Sequence, residues 1–153
     1  MDATYHQHGF EFRYPGFWEL SEHSGQDGEW TITVSSPGTS FWSLSLYSDR
    51  PRPEALIDSA VSAFREEYPD LDVYPLQARL CDRPAVARDL EFLCFDLVNG
   101  ASVRAVQIGP VTAFVLYQGT DDELESTRPI LEAITASLSY DPSRDSGLEG
   151  ERA

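Results

Sequence analysis

The chain has 153 residues, enough for one domain, and its 41% hydrophobic content is that of a folded protein rather than a disordered one. It carries 26 acidic residues against 11 basic ones, for a formal net charge of −15, and every basic residue is Arg. Such a surface repels phosphate backbones and anionic lipid, so we expect neither nucleic acid nor membrane as a partner. No segment approaches the ~20 apolar residues of a membrane span. Residues 1–10 lack a secretory signal, which predicts a cytoplasmic protein.

The first third of the chain predicts short strands separated by polar turns. Residues 1–8 are polar and predict a flexible N-terminus. Alternating apolar residues predict strands over residues 9–14, 30–34 and Phe41–Tyr47, with an extended piece at 17–20 and a polar loop at 22–29. In the strand Phe41–Tyr47, the even-numbered residues are predicted to face the core. This leaves Phe41 and Tyr47 on the opposite face.

A helix is predicted over residues 53–68, because Pro53 suits a first helical turn and apolar residues follow at three- and four-residue steps. These apolar residues are Leu56, Ile57, Ala60, Val61 and Phe64. Residues 71–76 predict another strand. We expect it at a sheet edge, because Pro75 has no N–H to donate to a neighbouring strand.

Residues 88–118 predict the centre of the fold as three successive strands. The strands cover residues 88–98, 101–108 and 111–118. Asn99-Gly100 predicts the first reversal, because a two-residue type I′ turn needs positive φ at both positions. Gly109-Pro110 predicts the second reversal. The third strand is apolar on both faces and must be covered on both, which indicates a layered domain.

A second helix is predicted after Thr120, which forms a capping-box pattern with Glu123. Its apolar stripe consists of Leu124, Leu131, Ile134 and Leu138. Pro129 leaves two alternatives, one kinked helix or a short turn followed by a new helix capped by Thr127, and we favour the break. Residues 141–153 predict a disordered acidic tail.

Together these elements predict an α+β fold. We expect an αβα sandwich, with a mostly antiparallel sheet of six to seven strands and helices on both faces. Residues 9–140 then form a single domain between two flexible ends.

The opening Phe12-Arg13-Tyr14-Pro15-Gly16-Phe17-Trp18 resembles the aromatic-x-Tyr-Pro-x-x-Trp start of the PsbP-like fold family, which includes the Ran-binding Mog family and bacterial DcrB-like proteins. The Pro-led helix, the turn Arg83-Pro84-Ala85 and a closing helix over residues 130–138 follow in the family's order. The resemblance covers residues 9–140. It implies an αβα sandwich and a non-enzymatic role in binding another protein, and it carries over no site residue.

No nucleophile motif or phosphate-binding loop is present in the sequence, so we expect no enzymatic activity and no cofactor. Cys81 and Cys94 predict free thiols. One alternative stays open, because His6 and His8 point the same way in an extended chain and His23 could join them at a metal or small-ligand site. Their spacing is not that of a closed zinc site, so our prediction is no metal.

The binding hypothesis rests on aromatic side chains near polar strand faces. Phe41 and Tyr47 share a face with Thr31 and Thr33, and two aromatic anchors on a Ser/Thr surface suit protein recognition. Phe17 and Trp18 lie near the start of the same region, although Trp18 is equally explained as a core residue. The competing interpretation is that a helix covers this face.

We therefore predict a non-enzymatic protein-binding module that uses a face of its antiparallel sheet. It would act as an adaptor, a subunit or a chaperone-like protein, and as a monomer or a homodimer. A chaperone for a secreted effector is a further alternative.

Overall fold

The structure, a computed structural model, describes residues 1–25 and 28–144. Its strands are β1 (Ala3–Gln7), β2 (Phe10–Tyr14), β3 (Glu19–Ser24), β4 (Glu29–Ser35), β5 (Phe41–Tyr47), β6 (Asp72–Pro75), β7 (Ala78–Leu80), β8 (Arg83–Cys94), β9 (Leu97–Ile108), β10 (Val111–Thr120) and β11 (Ser139–Tyr140). Its helices are α1 (Pro53–Glu67) and α2 (Asp121–Ser137).

The larger sheet has the strand order β3-β4-β5-β10-β9-β8-β6, and β7 pairs with β8 beside this path. Every pairing in it that the structure describes is antiparallel. β6 lies at one edge, as Pro75 predicts. With α1 on one face and α2 on the other, the predicted α+β sandwich is confirmed, although its sheet has eight strands among the described residues instead of the predicted six to seven.

β10 is covered on both faces, as its sequence predicts. Ala113, Val115 and Tyr117 belong to the core beneath α2. Phe114 and Leu116 belong to the core beneath α1, where Ile57 of the helix is fully buried. The domain therefore has two hydrophobic cores separated by the sheet.

A second sheet, β1-β2-β11, packs on the side of α2. Phe10 and Phe12 of β2 are buried, and the Phe12 ring lies 4.6 Å from the Trp42 ring between centroids. Residues 3–7 differ from the predicted flexible N-terminus, since they form β1 and pair with β2. Tyr5 stacks on Phe12 with ring centroids 5.1 Å apart, which gives this polar strand an apolar attachment.

Two further stretches differ from their sequence-based expectation. The predicted loop at residues 22–29 contains the second half of β3, whose pairing with β4 runs from Glu19↔Ser35 to Ser24↔Trp30. At the other end of the chain, a disordered tail was predicted from residue 141, but Arg144 forms an ion pair with Glu11 at 3.4 Å. The predicted tail from residue 145 onward lies outside the described residues.

The reversal between β8 and β9 lies at Phe95-Asp96, so the prediction of a turn at Asn99-Gly100 is wrong. Cys94 pairs with Leu97, and Phe95 and Asp96 have φ of 54° and 63°. Gly100 lies instead within β9, where an added Cβ would be 3.0 Å from Cδ1 of Leu124. Gly100 therefore allows α2 to approach the sheet closely rather than making a turn.

α2 runs unbroken through Pro129, so the predicted break is wrong. Pro129 is exposed, while the opposite side of the helix is buried continuously. The buried side consists of Leu124, Thr127, Leu131, Ile134 and Thr135. Packing of this side outweighs the one backbone hydrogen bond that Pro removes.

The predicted cap of α2 is confirmed, because Oγ1 of Thr120 accepts a hydrogen bond from the backbone N–H of Glu123 at 3.4 Å. The Glu123 carboxylate also contacts the turn between β4 and β5. It accepts hydrogen bonds from the N–H groups of Thr39 and Ser40, at 2.8 and 3.0 Å, and from the Ser36 hydroxyl at 3.0 Å. Burial alone would raise the pKa of this carboxyl, but the hydrogen bonds from Thr39 and Ser40 outweigh burial and lower the pKa to about 2.

Candidate functional site

One half of the larger sheet has a face beside α1 rather than beneath it. α1 packs mainly against β8 and β9, so the same face of β3 and β4 is left partly exposed, whereas on β5 Ser43 and Ser45 are buried between the half-buried Phe41 and Tyr47. We call this surface the open face. It consists of Glu19, Ser21, His23, Glu29, Thr31, Thr33, Ser35, Phe41, Ser43, Ser45 and Tyr47.

Strand register aligns the polar side chains of the open face in rows. Thr31 lies between His23 and Ser45, and Thr33 lies opposite Ser43. The alternate residues of β4 and β5 point to the other side of the sheet, where they are buried in the core beneath α2. The alternation in the sequence therefore correctly predicts which residues share this face.

Three hydroxyl groups of the open face, those of Thr31, Ser43 and Ser45, are hydrogen-bonded to neighbouring groups. Oγ1 of Thr31 and Oγ of Ser45 lie 2.9 Å apart, and Ser43 donates to the Leu116 carbonyl at 3.4 Å. Within residues 1–25 and 28–144, no hydroxyl of this face bonds to a histidine. These bonds are made within the protein, by Thr31 and Ser45 side chain to side chain and by Ser43 to the backbone of β10.

Phe41 and Tyr47 stand at the two ends of β5, and both are half-buried. Tyr47 packs against the core beneath α1. Burial raises the pKa of its phenol, with further contributions from the charges of Glu29 and Asp49, so the hydroxyl stays neutral. Each aromatic side chain thus keeps a solvent-facing part at one end of the open face.

The structure separates the two aromatic residues that the sequence grouped near the start. Phe17 is 75% exposed in the turn between β2 and β3. Trp18 is only 4% exposed and belongs to the core beneath α2. The sequence left two alternatives for Trp18, a binding residue or a core residue. The structure favours the second, since Trp18 is buried in the core.

The three histidines do not come together. His6 lies exposed on β1 opposite Glu11, and His23 lies on β3 opposite Thr31. His8 lies in the β1–β2 turn, with its ring edge-on to Trp30 at a centroid distance of 5.3 Å. In the part of the chain that the structure describes, no three His, Cys, Asp or Glu side chains are placed to hold a metal ion. The proposed site of His6, His8 and His23 is therefore not formed.

A cluster of exposed apolar side chains was missed by the sequence analysis. Leu93, Phe95, Leu97 and Val98 surround the end of the β8–β9 hairpin, and we call them the apolar tip. The prediction of a turn at Asn99-Gly100 placed them inside strands, where they would be buried. The available signal was the run from residue 92 to 98, which carries only one charged residue.

A buried polar bridge was also missed. Arg104 of β9 donates to Oε2 of Glu132 on α2 at 2.8 Å, and the Tyr117 hydroxyl donates to the same oxygen. Burial, followed by the contact with Glu132, raises the pKa of Tyr117 to about 12. The bridge ties α2 to the sheet, although Nε of Arg104 is buried without a hydrogen-bond partner among the described residues.

Comparison with known proteins identifies relatives in fold only. No family model matches the chain, and no curated protein matches it. Among solved structures, LpqN of Mycobacterium tuberculosis, described as involved in cell envelope biogenesis, is similar with a TM-score of 0.54 and 12% identity over 87% of this chain and 83% of LpqN. PA94 of Pseudomonas aeruginosa, a protein of unknown function, is similar with a TM-score of 0.55 and 14% identity over 92% of this chain and 97% of PA94.

The chain shares its fold with LpqN and PA94. A protein from Bacteroides thetaiotaomicron has a TM-score of 0.54 and 12% identity, over 87% of this chain and 45% of its own length. At these identities the similarity to LpqN, PA94 and the Bacteroides protein establishes the fold and not a function. Neither helix among the described residues is long and apolar enough to cross a membrane.

Proposed function

We propose that the protein is a non-enzymatic binding module that docks another protein on the open face. The observation that carries the proposal is the face of β3 and β4 beside α1, where Ser21 and His23 are exposed and Thr31 and Thr33 are half-buried. A sheet face left without a covering layer is a common place for a partner to complete the sandwich.

The composition of the open face supports a protein partner over a small molecule. Its centre is made of small hydroxyl side chains, of which Ser43 and Ser45 are buried, while Phe41 and Tyr47 stand at opposite ends of β5. Half-exposed aromatic residues are the usual anchors of protein interfaces. Phe17, exposed in the β2–β3 turn, is a candidate third anchor.

The absence of catalytic pairing supports a non-enzymatic role. The hydroxyl groups of Thr31, Ser43 and Ser45 bond to each other, to the Glu29 carboxylate or to the backbone, and His23 bonds to none of them among the described residues. A place in the PsbP-like fold family belongs to the same proposal. It is supported by the sandwich and by the turn in which the Trp18 N–H donates to the Pro15 carbonyl at 3.0 Å. A cytoplasmic location stays a prediction, since LpqN is described as part of envelope biogenesis.

A photo-crosslinking amino acid in place of Thr33 tests the proposal, because Thr33 lies within the open face. The matched control carries the same amino acid in place of Ala63, which is exposed on α1. We expect one protein to crosslink from position 33 and not from position 63 in cells of the source organism. The same product from both positions, or none from either, would contradict docking on the open face.

Two kinds of variant identify the contacts. Phe41→Ser/Tyr47→Ser removes the anchors, and Ser21→Arg adds bulk at an exposed position opposite residue 33. Both are expected to abolish the crosslinked complex, whereas Tyr74→Ser, which changes an exposed aromatic residue on β6, is expected to leave it intact. Thermal melting of each variant checks that it is folded.

A further inference from the structure

The apolar tip concentrates four exposed hydrophobic side chains at one end of a hairpin. Phe95 is 94% exposed, Leu93 59%, Leu97 53% and Val98 40%. Single exposed apolar residues are ordinary on a protein surface, but a contiguous group of this kind marks an interaction site. The group is separate from the open face, because β10 and β9 lie between β5 and β8.

The backbone at the apolar tip is unusual for the residue that occupies it. Phe95 has a φ of 54° in a two-residue loop, where Asn, Asp or Gly is preferred. A bulky residue at positive φ is strained, and a fully solvated Phe side chain recovers none of that cost through packing. Strain at an exposed aromatic residue supports a role outside folding.

A pocket of about 270 Å³ adjoins the apolar tip. Its lining combines Phe92, Leu93 and Val98 with the carboxyl-bearing residues Asp70, Asp72 and Glu91. β6 begins at Asp72 opposite Glu91, and none of the described strands pairs with residues 92–94 on that side. The pocket therefore has an apolar wall and an acidic rim.

The charge of the rim selects among the possible occupants. Asp96, in the two-residue loop of the same hairpin, adds a fourth acidic residue to this end of β8 and β9. An anionic lipid surface would be repelled, as it would be by the whole chain with its charge of −15. A second copy would bring its own carboxylates against the same rim. A Lys or Arg side chain, in contrast, lays an aliphatic stem on apolar residues while its charged end meets carboxylates.

We propose that the apolar tip and its acid-rimmed pocket bind a polypeptide segment in which Lys or Arg alternates with aliphatic or aromatic residues. A basic side chain of the segment enters the pocket, and its apolar neighbours cover Phe95 and Leu97. This site is independent of the open face, so either proposal can fail without the other.

The probe is a fluorescein-labelled peptide of alternating Leu and Lys, titrated with the full chain at low salt and followed by fluorescence anisotropy. Phe95→Asn removes the aromatic ring, and Asp70→Asn/Asp72→Asn removes two charges from the rim. The matched control Asp58→Asn/Glu125→Gln removes two charges from exposed positions on α1 and α2. We expect each site variant to weaken binding about tenfold and the control to match the wild type.

The Tm of Phe95→Asn separates binding from folding. Asn tolerates positive φ, so this variant is expected to melt at or above the wild-type temperature while it loses the peptide. A peptide of alternating Ser and Lys, which keeps only the charge, is expected to bind at least about tenfold more weakly than the Leu and Lys peptide.

Several results would overturn the proposal. These are failure of the wild type to bind the Leu and Lys peptide, equal loss in the control variant, or unchanged binding in both site variants. Sedimentation of the wild type with phosphatidylcholine vesicles, lost in Phe95→Asn, would assign the apolar tip to lipid instead. Self-association lost in Phe95→Asn would assign it to a second copy.

Discussion

Replacing Glu123 with Gln tests whether one carboxylate fixes the start of α2 to the β4–β5 turn. The substitution keeps the size of the side chain and removes the charge that accepts hydrogen bonds from Ser36, Thr39 and Ser40. The pKa of Glu123 is about 2 in the folded protein, against its ordinary value of 4.5. Since one pKa unit corresponds to ~1.4 kcal/mol, this difference would give ~3 kcal/mol without solvent screening. The carboxylate is partly exposed, so we expect a loss of ~1–2 kcal/mol in the free energy of unfolding.

Urea unfolding near pH 7 measures the loss in Glu123→Gln. Glu125→Gln is the matched control, because Glu125 is exposed on the same helix and makes no hydrogen bond among the described residues. A surface change of this kind is expected to alter the free energy of unfolding by less than ~0.5 kcal/mol. A loss in Glu123→Gln no larger than that of Glu125→Gln would refute the reasoning.

The pH dependence gives a second check on Glu123. Its pKa is lower in the folded state than in the unfolded state, so its stabilisation is complete above the unfolded value of 4.5 and is lost as the pH falls through about 2. Near pH 3, roughly two fifths of the stabilisation should remain. The difference in free energy of unfolding between wild type and Glu123→Gln must therefore narrow from pH 7 to pH 3. A difference that stays constant would mean that the charge is not responsible.

Two further predictions follow from the charge and from the cysteines. Raising the salt concentration from ~10 mM to ~1 M shortens the Debye length from ~30 Å to ~3 Å, so screening of the net charge of −15 should raise the Tm; a Tm that is flat or falls would contradict this. Burial, ahead of the neighbouring charges, raises the pKa of the Cys81 thiol to about 12. The variant Cys94→Ser leaves Cys81 as the reacting thiol. Near pH 8, a thiol reagent should modify the native variant at least ~100-fold more slowly than the urea-unfolded variant. Equal rates would show that Cys81 is accessible as a thiolate.

The parts of the fold that follow from local pattern were predictable. Alternation along β4, β5 and β10 assigns their side chains to the correct faces. Pro53 and Thr120 correctly mark the starts of α1 and α2. Each of these features is determined by residues close to it in the sequence, and sequence patterns are informative over such short ranges.

The features that were not predictable depend on distant residues. Gly100 is a packing residue because Leu124 approaches it from α2, and no local pattern distinguishes that use from a turn. β1 forms because Tyr5 finds Phe12 in the strand with which it pairs. The open face was predictable from alternation, whereas its exposure depends on where α1 lies. The apolar tip was missed because its turn was assigned four residues too late.

The three-stranded sheet joins segments from opposite ends of the described chain, since β11 pairs with β2. The backbone N–H of Arg13 also donates to the Ser137 hydroxyl, 124 positions later in the sequence. A ribosome adds ~5–20 residues each second, so β2 is made roughly 6–25 s before this partner. Throughout that interval Phe10 and Phe12 lack α2 and β11, which complete the core around them. The β1–β2 hairpin therefore carries two aromatic side chains whose core is incomplete until synthesis reaches the last strand.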